Sequence, residues 1–310
     1  MTLIPHTEPS RALLSGGSGF IGRRLIRDLV ERGWTVHAIV RPSSTRTIAE
    51  PSVVVHVDDG VTPLHSVVAA SAPDVCFHLA GHFAGVHGDD DVTPLVIDNV
   101  LFGTRLADAL ASRGDCLLVN AGSFWQNAGG RAYHPVELYA ATKQAFQDVL
   151  QYYVEAGRLQ VVTLKFFETY GPNDDRSKLV NLLLKAAASG EPMKLSPGEQ
   201  YVDLVHVDDA SNACLVAATM GSPSGLPISY AVNSGVPIRV KDLVERMSAV
   251  IGREVPVVWG QRGYRWREMM EPWDIAPTLP QWSPRVSLDE GLRSMWSGLT
   301  NARTAPDEKG

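Results

Sequence analysis

Apolar positions in the first half of the chain follow two alternating spacings. Short apolar runs of strand length lead into stretches whose apolar residues recur every three or four positions, as Leu25, Ile26 and Leu29 do. Repeated alternation of this kind predicts an α/β fold, in which helices cover both faces of a doubly wound parallel sheet. The predicted strands are 11–15, 35–40, 53–57, 74–80 and 116–121, and the predicted helices are 23–32, 92–113 and 139–157.

The second half of the chain predicts helices separated by short strands. Apolar residues recur at helical spacing in four stretches, and turn residues such as Pro197 and Gly198 separate the strands. The predicted helices are 177–188, 208–220, 241–251 and 287–299, and the predicted strands lie within 193–205 and 255–259.

A glycine-rich turn joins the first predicted strand to the first helix. Gly16, Gly19 and Gly22 have G-x-x-G-x-x-G spacing, which allows a tight turn and a close backbone approach to a pyrophosphate at a helix N-terminus. An ordinary tight turn is the alternative for an isolated motif. The flanking strand and amphipathic helix favour dinucleotide binding.

The second predicted strand ends in Arg41, where an NAD-binding fold usually carries an acidic residue. A guanidinium at this place suits the 2′-phosphate of NADPH, since arginine binds phosphate in a fixed fork geometry. A solvated arginine is one alternative, and Arg46 or Ser43 as the phosphate contact is another.

Two other strand ends carry candidate cofactor contacts. Asp58 and Asp59 follow the third predicted strand, where a carboxylate can accept from the adenine amino group; either acid can instead be a helix cap before Pro63. Ala80 and Gly81 end the fourth predicted strand and are small enough for a cofactor to lie against them.

Tyr139 and Lys143 are four residues apart on a predicted helix, so both side chains lie on one face. A fixed positive charge stabilises a phenolate, which makes such a tyrosine a candidate general acid or base. Ser123 follows the fifth predicted strand at the carboxyl edge of the sheet, where α/β folds bind ligands. Alone, the Tyr and Lys pair is also compatible with an ordinary helix surface.

Composition and net charge indicate which kinds of binding partner to expect. The chain has 310 residues, 45% of them hydrophobic, and a formal net charge of -6, which disfavours a nucleic-acid or membrane-surface partner. Three widely separated cysteines lack the spacing of a disulfide framework or metal site, and we expect buried thiols in a reducing cytoplasm. Residues 1–10 contain no apolar run of signal-peptide length, so export is not expected.

Taken in order, these motifs resemble the extended short-chain dehydrogenase/reductases, and more narrowly their nucleotide-sugar epimerase/dehydratase branch. The resemblance covers about residues 11–300 and includes the segments 167–172 (FETYGP) and 206–209 (HVDD). The stretches 122–127 (GSFWQN) and 135–146 (PVELYAATKQAF) look most like the 4-ketoreductases that make CDP-abequose or CDP-paratose.

The resemblance implies roles for individual residues. Tyr139 becomes the proton donor, Lys143 holds the nicotinamide ribose and lowers the Tyr139 pKa, and Ser123 hydrogen-bonds the reacting carbonyl. The implied NADP(H)-binding residues are Gly16, Gly19, Phe20, Ile21, Gly22, Arg41, Asp58, Asp59, Leu79, Ala80, Gly81, Asn99, Ala121, Tyr139 and Lys143. The implied substrate-binding residues are Phe124, Trp125, Glu168, Lys178, Leu179, Arg265 and Arg267.

Two of the substrate assignments have open alternatives. Lys178 is placed to meet a diphosphate and can equally be a solvated lysine. The segment 261–273 interleaves arginines with Tyr264, Trp266 and Trp273, which suits a base and a diphosphate, although such loops are often simply solvated.

Departures from the family pattern narrow the chemistry. Where 4,6-dehydratases have an Asp-Glu pair after the hydroxyl residue, this chain has Phe124 and Trp125, so dehydration is not expected. Epimerases of this family usually carry an acid where this chain has Arg41. Glu168 replaces the usual substrate-contacting Asn, and Val202 stands where many members have a nucleotide-contacting Arg.

The expected architecture is a Rossmann-type NADP-binding domain over 1–165 with returning segments at about 201–235. A discontinuous substrate-binding lobe is expected over 166–200 and 236–310. The expected reaction is reduction by NADPH of the C4 keto group of a CDP- or dTDP-linked 4-keto-6-deoxyhexose. The alternatives are an epimerase with retained NAD(P) and a non-catalytic dinucleotide-sensing protein. Helices 92–113 and 139–157 suit the four-helix seam of a homodimer, with a monomer as the other option.

Overall fold

A seven-stranded parallel sheet organises the first part of the chain. The computed structural model describes residues 10–44, 47–220, 228–272 and 276–304. The strands of the sheet are β1 (Arg11–Ser15), β2 (Thr35–Val40), β3 (Val54–Val57), β4 (Val75–His78), β5 (Leu117–Ser123), β6 (Gln160–Phe166) and β11 (Ile228–Val232). Their order in the sheet is β11-β6-β5-β4-β1-β2-β3.

The order of the sheet creates a crevice beside β1. From β1 the chain moves outward to β2 and β3, and then returns to place β4 on the other side of β1. In open parallel sheets, this reversal of direction leaves a crevice at the carboxyl ends of the two strands. The central strand β4 is buried along its whole length, which explains its continuous apolar run. The predicted doubly wound, Rossmann-type α/β fold is confirmed.

Helices connect the strands; one predicted helix is interrupted in the structure, and the helix Leu64–Ser71 was not predicted. The segment expected as a single helix over 92–113 begins at Asp89 and is interrupted by a π-helical turn at Ile97–Leu101. The helices are α1 (Phe20–Glu31), α2 (Leu64–Ser71), α3 (Asp89–Val96), α4 (Phe102–Arg113), α5 (Leu138–Glu155), α6 (Leu179–Ser189), α7 (Val207–Met220), α8 (Val240–Ile251) and α9 (Leu288–Thr304). None of the helices in the described ranges is long and apolar enough to cross a membrane.

The chain divides into two compact units. The first comprises Met1–Phe166, Ala210–Val232 and Asp274–Trp282, and the second comprises Phe167–Asp209, Asn233–Trp273 and Ser283–Gly310. Sequence reasoning placed the returning segment at about 201–235 and did not expect a second return. The second return arises because β11 is an edge strand: Ala231 N–H donates to the carbonyl of Pro277, at 2.9 Å.

The second unit has its own apolar core and small two-stranded sheets. Helices α6, α8 and α9 contribute buried residues such as Leu183, Leu243 and Leu292 to that core. Two buried carboxylates hold its loops, since Asp203 accepts from Ser234 N–H and Asp209 accepts from Arg285 N–H. The short strands are β7 (Glu168–Tyr170), β8 (Met193–Lys194), β9 (Tyr201–Val202), β10 (Leu204–His206), β12 (Ile238–Arg239) and β13 (Val257–Val258).

Candidate active site

The glycine turn after β1 is fixed by close contacts of the backbone. Gly16 has φ of +80°, and a Cβ there would lie 2.5 Å from the amide nitrogen of Ala80. A Cβ on Gly22 would lie 2.2 Å from the carbonyl oxygen of Gly16. Gly19 precedes α1, whose first turn contains Phe20 and no acidic residue. The positive end of this helix is therefore available to an anion such as a pyrophosphate.

A cleft of about 480 Å³ lies beside this turn. Its walls come from the carboxyl ends of β1, β2 and β4 and from the π-helical turn and α4. The predicted cofactor residues that line it are Gly16, Gly19, Arg41, Asp58, Leu79, Ala80 and Gly81. Phe20, Ile21 and Gly22 form the first turn of α1 instead, and Ala121 lies within β5.

The polar groups near the end of β2 have different roles. Arg41 Nη1 lies 2.6 Å from Asp98 Oδ2, and both residues line the cleft. Asp59, by contrast, uses its Oδ1 atom to accept from the N–H groups of Val61 and Thr62, at 2.9 and 2.7 Å. These bonds hold the pKa of Asp59 below its usual value. Asp59 therefore closes its own turn and is not among the residues that line the cleft; its cofactor contact stays a prediction.

Ser43 lines the cleft as well, so it stays an alternative phosphate contact. Arg46 lies outside the described residues.

Lys143 is buried at the carboxyl edge of the sheet. Its side chain is 4% exposed, and its Nζ donates to the carbonyl of Ala80 at 3.2 Å. Burial lowers the Lys143 pKa to about 8, because desolvation penalises the charged form. A Cβ on Gly81 would lie 3.0 Å from this Nζ, so glycine leaves the ammonium more room there.

Asn99 ties the loop after β4 to helix α5. Its Oδ1 accepts from the His82 N–H at 2.8 Å, and its Nδ2 donates to the His82 carbonyl and to Thr142 Oγ1. Thr142 Oγ1 in turn donates to the carbonyl of Tyr139 at 2.8 Å. The π-helical turn presents Asn99 to this network, as such turns often do at functional sites. Asn99, which was predicted to contact the cofactor, therefore uses both atoms of its side-chain amide in hydrogen bonds within the protein.

Tyr139 and Ser123 border the same aromatic cluster. The rings of Phe83 and Tyr139 are 5.1 Å apart, and those of Phe83 and Trp125 are 5.8 Å apart. Ser123 Oγ accepts from the Trp125 N–H at 3.2 Å. An accepted bond on the oxygen leaves the hydroxyl proton of Ser123 available for donation. Trp125 and Phe124 are themselves only 8% and 7% exposed, which leaves little surface for their predicted substrate contacts.

Sequence reasoning missed two residues of this region, Gln126 and Phe83. Gln126 is fully buried; its Oε1 accepts from the Ser123 N–H at 2.8 Å, and its Nε2 donates to Gln144 and Gln147 on α5. It therefore joins the strand of Ser123 to the helix of Tyr139. Its place three residues after a serine is the capping-box signal that would have revealed it. Phe83 is 46% exposed, and no sequence pattern distinguishes it.

In the second unit, the predicted substrate residues form two separate groups. Lys178 Nζ lies 3.2 Å from Glu168 Oε2, and Leu179 is the first residue of α6. Arg265 pairs with Glu268 in its own loop, at 3.6 Å.

Arg267 places its guanidinium 6.0 Å from the ring centre of Trp266, which is 90% exposed. The predicted Trp273 lies outside the described residues.

The chain is similar to known proteins over most of its length. The CDP-abequose synthase of Yersinia pseudotuberculosis is 28% identical over 84% of this chain and 91% of its own length. The dTDP-6-deoxy-L-talose 4-dehydrogenase (NAD(P)(+)) of Kitasatospora kifunensis is 26% identical over 97% of this chain and 99% of its own length. The fold is similar to that of the UDP-glucose 4-epimerase from Thermus thermophilus in complex with NAD, with a TM-score of 0.79. That structure is 23% identical and covers 94% of this chain and 99% of its own.

A family model matches most of the first unit and part of the second. The match extends over residues 12–232 and includes the glycine turn, Ser123, Tyr139 and Lys143. The chain belongs to the NAD dependent epimerase/dehydratase family.

Proposed function

We propose that this protein uses NADPH to reduce the C4 keto group of a nucleotide-linked 4-keto-6-deoxyhexose. The observation that carries this proposal is that Lys143 is buried with its Nζ on the carbonyl of Ala80, which lines the cleft, and lies on the same helix as Tyr139. The rings of Tyr139 and Trp125 both contact the Phe83 ring, and the Trp125 N–H donates to Ser123 Oγ. Together these residues would supply a hydrogen-bond donor, an acid and a positive charge, as carbonyl reduction requires.

The cleft fits a dinucleotide cofactor. Gly16 and Gly22 approach neighbouring backbone so closely that a Cβ on either would collide with it, which leaves the turn open for a pyrophosphate at the start of α1. A reduced nicotinamide supplies the hydride for the carbonyl carbon when it is bound. Lys143, beside Gly81 at the end of this cleft, would hold the nicotinamide ribose.

The protein side chains then manage the charge that develops on the carbonyl oxygen. Ser123 donates its hydroxyl proton to that oxygen as a hydrogen bond, while its own oxygen remains held by the Trp125 N–H. Tyr139 transfers its phenolic proton to the oxygen and becomes a phenolate. With a pKa of about 8, Lys143 is mainly charged near neutral pH and stabilises that phenolate.

Reduction is favoured over the other reactions of the family by two features. Phe124 and Trp125 occupy the positions after Ser123, and neither can act as an acid or a base in the loss of water. Arg41 lines the cleft and suits the 2′-phosphate of a cofactor that is consumed and exchanged at each turnover. The similarity to CDP-abequose synthase and to the dTDP-6-deoxy-L-talose 4-dehydrogenase supports a deoxysugar nucleotide as substrate.

In the second unit, Glu168, Lys178 and Leu179 form one proposed part of the substrate site. The loop that carries Arg265 and Arg267 is the other proposed part, because arginine next to exposed aromatic surface suits a nucleoside diphosphate.

The test is a cofactor balance over a complete reaction. Purified protein would be mixed with a CDP- or dTDP-linked 4-keto-6-deoxyhexose and NADPH, and the near-ultraviolet absorbance of NADPH followed against product. We expect one NADPH consumed per sugar reduced. Epimerisation of a hexose nucleotide without net NADPH loss would replace the proposal with an epimerase. Cofactor binding with no turnover of any such sugar would favour a dinucleotide sensor.

A further inference from the structure

A carboxylate lies beside the arginine that is proposed to bind the 2′-phosphate. Asp98 Oδ2 is 2.6 Å from Arg41 Nη1, and both residues line the cleft. Asp98 comes from the π-helical turn and Arg41 from the end of β2, 57 residues earlier. Asp98 is 21% exposed, whereas Arg41 is 64% exposed, so the carboxylate is the more firmly embedded partner.

This carboxylate opposes a phosphate at the same place. A phosphomonoester carries between one and two negative charges near neutral pH, and like charges in contact repel. A 2′-phosphate must also compete with Asp98 for the N–H donors of Arg41. The 2′-hydroxyl of NADH carries no charge and can donate to a carboxylate, so Asp98 does not oppose it.

His82 lies beside Asp98, and Arg105 lines the same cleft. His82 Nδ1 lies 3.9 Å from Asp98 Oδ2, and its Nε2 lies 3.6 Å from Asp91 Oδ1, so one imidazole is shared between two acids. Arg105 lines the cleft from α4, two helical turns beyond Asp98. It can contribute to phosphate binding without the pairing that holds Arg41.

We propose that Asp98 is a specificity-determining residue, which weakens the preference of this cleft for a 2′-phosphate by pairing with Arg41. The inference rests on the proposed function, because it takes Arg41 to be the phosphate-binding group. A cleft that contains both Arg41 and Asp98 is expected to bind either NADPH or NADH. The ratio of the two affinities then depends on the Asp98–Arg41 pair.

The test uses fragments of the two cofactors, so that no sugar substrate is needed. Dissociation constants of 2′,5′-ADP and 5′-AMP would be measured by calorimetry on the full chain and on Asp98→Asn. We expect Asp98→Asn to bind 2′,5′-ADP about 3- to 10-fold more tightly at low salt, because an exposed pair and a like-charge contact are modest in energy. Binding of 5′-AMP should change by less than about two-fold, since the fragment has no 2′-charge.

Asp91→Asn is the matched control. It also removes a carboxylate beside His82, but Asp91 is not among the residues that line the cleft. It should leave both affinities near the wild-type values. If Asp91→Asn tightens 2′,5′-ADP equally, the effect comes from net charge and the inference is overturned. Weaker binding of 2′,5′-ADP by Asp98→Asn would mean that Asp98 orients Arg41 for the phosphate, which also overturns it.

Arg41→Ala separates this inference from the proposed function. If Arg41 binds the phosphate, the variant should bind 2′,5′-ADP about 10- to 100-fold more weakly, the cost of a lost charge-assisted contact. An unchanged affinity would refute the role of Arg41 and with it this inference, while the use of NADPH would still be tested separately by the cofactor balance. A large loss in Arg41→Ala combined with no gain in Asp98→Asn would refute the role of Asp98 alone.

Discussion

Lys143 in the first unit and Lys178 in the second are held in opposite ways. Lys143 is 4% exposed and donates to the neutral carbonyl of Ala80, and burial lowers its pKa to about 8. The Lys178 side chain is 24% exposed and lies 3.2 Å from the Glu168 carboxylate. The Lys143 ammonium is thus buried without a carboxylate partner in the contacts described, whereas the Lys178 ammonium forms an ion pair that is partly exposed to solvent.

The difference shows which charge is informative about function. A buried charge destabilises the folded state, so its presence indicates a role in chemistry rather than in stability. An exposed ion pair contributes about 0 to 1 kcal/mol and occurs widely on protein surfaces. The geometry around Lys143 therefore supports its proposed role directly, whereas the role of Lys178 depends on similarity to other proteins.

The largest effect should come from Tyr139→Phe, which removes the proposed acid while keeping the ring that packs against Phe83. Turnover should fall by about 10²- to 10⁴-fold, the usual range for the loss of a general acid. Steady-state rates with a parallel titration of NADPH would measure it. Tyr152→Phe is the matched control, because Tyr152 lies on the same helix and is 64% exposed. Turnover of Tyr139→Phe at the wild-type rate would exclude this mechanism.

Lys143→Met should abolish most activity and yet stabilise the fold by about 2 kcal/mol near pH 7. The depressed pKa of Lys143 represents about 3 kcal/mol of destabilisation, and the lost hydrogen bond to Ala80 offsets about 1 kcal/mol. Urea denaturation of both proteins at several pH values would measure the difference.

The sign of the pH dependence follows from proton binding. Between about pH 8 and the unfolded pKa of about 10.4, the unfolded wild-type chain binds the Lys143 proton more tightly, so wild-type stability rises with pH there. The charge contribution to the advantage of Lys143→Met is therefore complete below pH 8 and disappears by about pH 10.4, where only the loss of the hydrogen bond to Ala80 remains and the variant becomes the less stable protein. Lys165, whose pKa is also lowered to about 8, is present in both proteins and cancels in the difference. A variant less stable than wild type at pH 7 would show that the ammonium is well compensated.

Phe83→Ala should have an intermediate effect. The ring of Phe83 lies 5.1 Å from that of Tyr139 and is 46% exposed, so it offers apolar surface to a sugar beside the proposed acid. We expect kcat/KM for the sugar nucleotide to fall about 10-fold, the scale of one lost apolar contact. Affinity for NADPH should be unchanged in a separate titration. Equal losses of sugar and cofactor binding would indicate a disturbed site and would count against a substrate contact.

The smallest effect on stability should come from Lys178→Met. Its pair with Glu168 is partly exposed, so the free energy of unfolding should change by less than about 1 kcal/mol. The change should show no pH dependence like that of Lys143→Met. If urea denaturation showed that Lys178→Met loses more than about 2 kcal/mol of unfolding free energy, the two lysines would not differ in the way described.

The position of the proposed site residues within the fold was predictable in part, because parallel strands end at the same edge of a sheet. The apolar runs and the glycine spacing place Gly16, Gly81 and Ser123 after strands that run in one direction, so all three reach the same edge. Helical periodicity places Tyr139 and Lys143 on one face of α5. Strands β1 and β2 also have the predicted bounds, because each is a short apolar run that the sequence shows directly.

The sequence by itself thus determined the first five strands of the sheet, the glycine turn and the position of Tyr139 and Lys143 on one helix, since each depends on residues close together in the chain. Strands β6 and β11 and helix α2 were not predicted. Only the tertiary structure decided that Asp98 meets Arg41 and that Gln126 reaches Gln144 and Gln147 on α5. Such contacts depend on how connecting segments pack and which polar group is nearest, and side-chain hydrogen bonds over a few ångströms leave no periodic trace in the sequence.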